Sequence, residues 1–144
     1  MSMQNLSLTG TVEQSITPTA NTTATTTGTG ISTKGFRSML AILNIGVVSG
    51  TNPTLDVHLE ECDTVGGTYT AITGAVFDQQ ILAPSPVTDV TFVEVDLLPR
   101  KAFILAEGVI GGTSTPTFNY GVSFIFYNAV DSAFSGSADA TVVS

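Results

Sequence analysis

Apolar and polar residues alternate with a period of two in several runs of residues 36–127, the spacing of β-strands rather than of helices. Leu55, Val57, Leu59 and Glu61 share one face, and Asp56, His58, Glu60 and Cys62 share the other. Phe118, Tyr120, Val122, Phe124 and Phe126 line one side of the last long run. Residues 36–48 and 101–110 are closer to continuously apolar, as strands covered on both faces are. Strands are predicted near 36–48, 54–62, 68–73, 90–97, 101–110 and 117–127.

The pattern is also written twice. Gly46 falls on Gly108, Val47 on Val109, Val48 on Ile110, Gly50 on Gly112 and Thr51 on Thr113; one extra residue then shifts Pro53 onto Pro116. In each copy an apolar run ends in a Gly-Thr turn and a Pro-Thr pair launches a second run, which predicts a duplicated β-hairpin, one copy in each half of the fold. Short strands, Gly/Pro punctuation and no amphipathic helix give an all-β fold: a β-sandwich or jelly-roll-like antiparallel barrel with an extended N-terminal arm and a C-terminal tail.

Three regions differ in composition: a Thr-rich arm over 1–33, a sandwich core over 34–128, and a tail over 129–144. Residues 17–30 carry almost no large apolar side chain, so alone they bury too little surface to offset their ordering entropy. Such an arm needs a surface, either its own sandwich or another subunit. Leu6, Leu8, Val12 and Ile16 share one parity, interrupted at Gly10, which suits an edge strand or one lent to a neighbour.

Composition narrows the function. Only 11% of residues are charged, and twelve acids against four bases give a net charge of −8. That balance argues against nucleic acid as a partner, because phosphate contacts need a basic footprint. The longest apolar runs are about half the twenty or so residues of a membrane span, so no membrane role is expected. The first residues lack the basic and apolar regions of a signal peptide, and Cys62 has no second cysteine to pair with. The chain is therefore expected to be made and kept in a reducing cytoplasm, or assembled there into something larger.

No arrangement in the sequence carries a reaction. Asp56, His58, Glu60 and Cys62 form a ladder on one strand face, yet His58 and Cys62 are the chain's sole histidine and cysteine. Zinc and copper sites draw on three or four convergent ligands, so the ladder reads as a hydrated outer face ending in a small buried thiol, and neither metal nor cofactor is expected. A nucleophilic Ser or Thr would need His58 as its base, and no Gly-x-Ser-x-Gly elbow is present. Glu60/Glu61 and Glu94/Asp96 are carboxylate pairs without the aromatic platforms of a sugar cleft, since the chain has no Trp. Residues 63–69 read as a Gly-Gly hairpin turn rather than a calcium loop. An enzyme is not expected. The four basic residues form two pairs, Lys34 with Arg37 and Arg100 with Lys101, at the openings of the two repeats. They are candidate docking contacts for an acidic partner.

Residues 46–77, with Arg100-Lys-Ala-Phe-Ile-Leu105 and Gly112-Thr-Ser-Thr-Pro-Thr-Phe118, resemble the capsid decoration, or cement, proteins of tailed bacteriophages. The resemblance spans roughly residues 36–127 and transfers no catalytic residue. It implies a β-sandwich on the outer surface of an icosahedral shell, bound to the major capsid protein, homo-oligomeric and commonly trimeric, bracing neighbouring capsomers of the virion. Two other readings stay open: a tail or head-fibre component, and a carbohydrate-binding module.

Overall fold

The computed structural model describes residues 10–22, 24–81 and 89–129. Among these every regular element is a strand: β1 (Thr11–Asn21), β2 (Thr25–Thr27), β3 (Ile31–Ser32), β4 (Phe36–Cys62), β5 (Thr70–Val76), β6 (Gln80–Ile81), β7 (Asp89–Asp96) and β8 (Phe103–Ala129). No helix among the described residues is long and apolar enough to cross a membrane. The ends of the tail (130–144) and of the arm (1–9) lie outside the described residues.

All six predicted strands are present, but their pairing differs from a duplicated hairpin. The runs 36–48 and 54–62 are parts of one strand, β4, and do not pair with each other. Each pairs antiparallel with the other repeat, so that β4 and β8 run against one another from Phe36↔Ala129 through Thr51↔Thr113 to Cys62↔Phe103. The Gly-Thr segments redirect the strand instead of reversing it. Gly50 and Asn52 in β4, and Gly112, Ser114 and Thr115 in β8, take positive φ, and the register slips on both sides of Thr51. The extra residue of the second repeat is accommodated as a second non-glycine in the left-handed region, Thr115 beside Ser114. These bulges are corners at which a strand passes from one sheet to the next.

The corner is required by contacts that a straight strand forbids. Tyr120 and Gly108 lie on the same strand and would stand roughly 40 Å apart if it were extended. Yet a Cβ on Gly108 would collide with the Tyr120 hydroxyl. β4 and β8 therefore fold over at their midpoints, turning one continuous hydrogen-bonded sheet into two facing layers. One layer is β7, the first half of β4, the second half of β8, and β1; the other is β5 and β6, the second half of β4, the first half of β8, and β2 with β3. Among the described residues no strand pairing joins the outer edges, so the fold is a β-sandwich and not a closed barrel.

The repeat is a pseudo-twofold axis through Thr51 and Thr113. The offset carrying Val48 onto Ile110, with the one carrying Pro53 onto Pro116 on the far side of the corner, carries the pair Val48↔Phe118 onto Leu55↔Ile110, which is also a pair of the ladder. The same operation relates β1 to β5 and β6, and β2 with β3 to β7. The Thr-rich stretch thus fills the edge positions that complete the symmetry. It needs few apolar side chains because an edge strand contributes chiefly its backbone hydrogen bonds.

Between the layers a single core joins both halves of both long strands: Met39, Leu43, Ile45, Leu55, Val57, Leu59, Ile104, Phe118, Tyr120, Val122, Phe124 and Phe126 are all essentially inaccessible to solvent. Val12 and Ile16 do not share a face as their parity suggested, since a bulge between Gln14 and Ile16 leaves Val12 exposed and Ile16 buried. Ser15 sits at that bulge. Its buried hydroxyl accepts from the Ala106 N–H at 2.8 Å and donates to the Thr29 carbonyl at 3.0 Å, tying β1 to the opposite layer. Ser15→Ala strands a buried N–H, and thermal denaturation should show a loss of about 1–3 kcal/mol. A loss under about 0.5 kcal/mol would mean that water replaces the hydroxyl.

Candidate functional site

The two basic pairs, distant in sequence, meet at one end of the sandwich. The Thr33 N–H donates to the Ala102 carbonyl at 2.9 Å, and its hydroxyl lies 3.1 Å from the Lys101 carbonyl, which sets Lys34 beside Lys101. The Leu97 N–H donates to the Arg37 carbonyl at 2.8 Å, and the Arg100 N–H donates to Leu97 at 3.0 Å. All the Lys and Arg residues of the protein therefore surround the turn between β7 and β8. Four of the chain's twelve acids, Glu61, Asp63, Glu94 and Asp96, lie at the same end.

The four basic residues are not equivalent. Arg100 lies 3.2 Å from Glu61, whose other carboxylate oxygen accepts from the Lys101 N–H at 2.9 Å. That contact locks the end of β4 onto the start of β8. The Lys101 ammonium lies 3.9 Å from Asp63, an exposed and weak pairing. Lys34 and Arg37 are exposed, and no ion pair to a described residue holds either of them. Beside them Leu98 is 72% exposed, its N–H held by the Asp96 carboxylate at 3.0 Å.

The Glu94/Asp96 pair borders this end. Both line a groove of about 290 Å³ with Arg100, Pro99 and residues 72–75. Asp96 is occupied with its turn, and Glu94 accepts from the Tyr127 hydroxyl. That hydrogen bond first, then burial and the Glu94 charge, push the Tyr127 phenol up. The groove is thus braced by contacts within the fold.

The Asp56–Cys62 face lies on the outside of the other layer. Asp56, His58 and Glu60 are half-exposed, and Cys62 is buried at the end of the row. A turn over residues 63–69 joins β4 to β5, with Gly67 packed so closely on Cys62 that a side chain there would collide with the sulfur. Gln79 donates to Asp56 at 2.9 Å. Sequence reasoning missed the participation of Glu107, which faces His58 directly across the β4–β8 ladder. The His58 Nε2 lies 3.3 Å from Glu60 and 3.8 Å from Glu107. Glu107 carries no one-strand signal that links it to His58; the link exists only through register.

Comparison with known proteins bears on the fold. No protein-family model and no curated protein matches the chain. Among solved structures the chain is similar to a chain in a structure of infectious bursal disease virus, Gx strain, with 10% identity and a TM-score of 0.57. The likeness covers 81% of this chain and 31% of the viral one, so this chain spans about a third of that protein's length. Shared at that identity is the β-sandwich architecture.

Proposed function

We propose that the protein is a structural component of a virion, a capsid cement protein that binds the outer surface of a phage shell and braces neighbouring capsomers. The observation that carries this reading is the basic end: Lys34 and Arg37, free of ion pairs to described residues, beside the exposed Leu98 on an acidic sandwich. The similarity in sequence to phage decoration proteins supports it, and so does a fold shared with a chain of a virus structure. In this reading the protein is no enzyme. Its work is free energy of association, and a homotrimer would repeat the weak contact of one subunit three times over, so the assembly holds far more tightly than its parts. The major capsid protein would supply an acidic, partly apolar seat.

Mass spectrometry of the source lysate across a density gradient tests the role. Co-migration with particles at hundreds of copies is the expected result. A handful of copies would instead mark a tail or fibre part, and absence from particles would end the virion reading. The contact itself is tested by Lys34→Glu with Arg37→Glu. Those positions are exposed, so the variant should fold normally yet bind particles at least tenfold more weakly, with the deficit shrinking as salt rises. Unchanged binding would remove the basic end from the interface. Arg100 is a poor choice for this experiment because its reversal would also break the contact with Glu61.

A further inference from the structure

We propose that His58, Glu60 and Glu107 form a binding site for a divalent first-row transition metal ion, with Zn²⁺ the natural probe. The three ligand atoms lie within 4.8 Å of one another. Cross-strand neighbours hold their Cβ atoms about 5 Å apart, and alternate residues along a strand stand 6–7 Å apart. His58 occupies the corner of that right angle, with Glu107 across and Glu60 along, and both glutamates are long enough to lean over the imidazole. The His58–Glu60 separation of 3.3 Å already equals the edge of a tetrahedron built with zinc–ligand bonds of about 2.0 Å. The His58–Glu107 separation of 3.8 Å exceeds that edge by an amount a glutamate side chain closes by a small rotation.

The surroundings favour a cation. Two carboxylates share one histidine, while the described ion pairs of lysine and arginine go to Glu61 and Asp63 at the end of the strand. The Thr27 hydroxyl on β2 donates to Glu107 Oε2 at 3.2 Å, leaving Oε1 facing the histidine, which is how outer partners orient metal-binding carboxylates. All three ligands stand on β4 and β8 between flanking strands, His58 beside Val76 of β5 and Glu107 beside Thr27 of β2, a rigid support for a site. The neighbours of the row are engaged elsewhere, Asp56 with Gln79 and Cys62 under the turn. One nitrogen and two oxygens leave a fourth position open to water or to a ligand from another molecule. The donor set suits zinc and its neighbours, whereas Ca²⁺ requires six to eight oxygens.

Because the chain holds one histidine, its ring signals in a ¹H–¹⁵N spectrum of the full, tag-free protein report on this site alone. Addition of Zn²⁺ is expected to shift them, saturating at one equivalent with a dissociation constant below about 100 µM, while millimolar Ca²⁺ leaves them unchanged. Calorimetry should show at least tenfold weaker zinc binding for Glu107→Gln and for His58→Gln, both folded as judged by circular dichroism. Cys62→Ser should bind as the natural protein does. Absence of saturable ring shifts, or Glu107→Gln binding within twofold of the natural protein, would overturn the site. So would loss of binding in Cys62→Ser, which would assign the metal to the thiol.

Discussion

Removal of residues 1–32 should abolish folding of the rest of the chain. Composition alone sets residues 1–33 apart as an arm in need of a surface, and β1, β2 and β3 are the edge strands of the two layers. Their loss uncovers the second half of β8 along Thr11↔Phe126 to Asn21↔Phe118 and the first half along Thr25↔Val109 to Ser32↔Phe103. It also removes buried Ile16, worth about 1.5–3 kcal/mol, and leaves the Ala106 N–H without the Ser15 hydroxyl at about 1–3 kcal/mol. Added to the lost strand pairing, these terms exceed what a protein stable by about 5–15 kcal/mol can lose. The truncated chain should show no cooperative thermal transition and poor amide dispersion. Cooperative melting within a few degrees of the full chain would show that the strands lie on the sandwich without supporting it.

A single methyl group at Gly108 should be nearly as informative. Gly108 lies under the Tyr120 ring, where the ring crosses from the opposite layer, and an added Cβ would overlap the hydroxyl and the carbon that bears it. Gly108→Ala should cost about 3 kcal/mol, roughly 10 °C in Tm, because neither sheet can move apart without opening the core. The Tyr120 hydroxyl is buried and makes no hydrogen bond; burial pushes its phenol up, with a small opposing pull from Thr26, whose own hydroxyl points to Asn21 at 3.5 Å. Tyr120→Phe should therefore be close to neutral, and combined with Gly108→Ala it should recover part of the loss. Gly46 is the control. It aligns with Gly108 in the sequence repeat but lies where the register slips between Ile45 and Val48, and a Cβ there would meet nothing nearer than the Asn119 carbonyl at 3.6 Å, an ordinary contact. Gly46→Ala should cost under about 1 kcal/mol. Equal costs at both glycines would refute the close crossing of Tyr120.

The candidate sites were legible to different depths. The four basic residues stood out as two pairs from their rarity, and the repeat suggested that they were related. Their meeting at one turn, and the distinction between paired Arg100 and free-standing Arg37, came from the contacts of Thr33, Leu97 and Glu61. His58, Glu60 and the buried end at Cys62 could be placed by alternation. Glu107 could not, since the cross-strand register depends on which strands pair.

By itself the sequence determined the strands, their positions and most of their faces. Period-two alternation is a local property, and it correctly set Leu55, Val57 and Leu59, and Phe118 through Phe126, against the core. It also determined the duplication and that the regular elements among the described residues are strands. The tertiary structure alone decided which strands are partners. A Gly-Thr turn followed by Pro-Thr is compatible with a hairpin and with a corner, because both need positive φ and a break in register; the choice rests on whether each run finds more to bury against its own continuation or against the distant repeat. Here the distant repeat wins, and two strands fold over together instead of twice reversing. Only that choice gives the Thr-rich stretch an edge to complete, brings four cations to one turn, and sets Glu107 opposite His58.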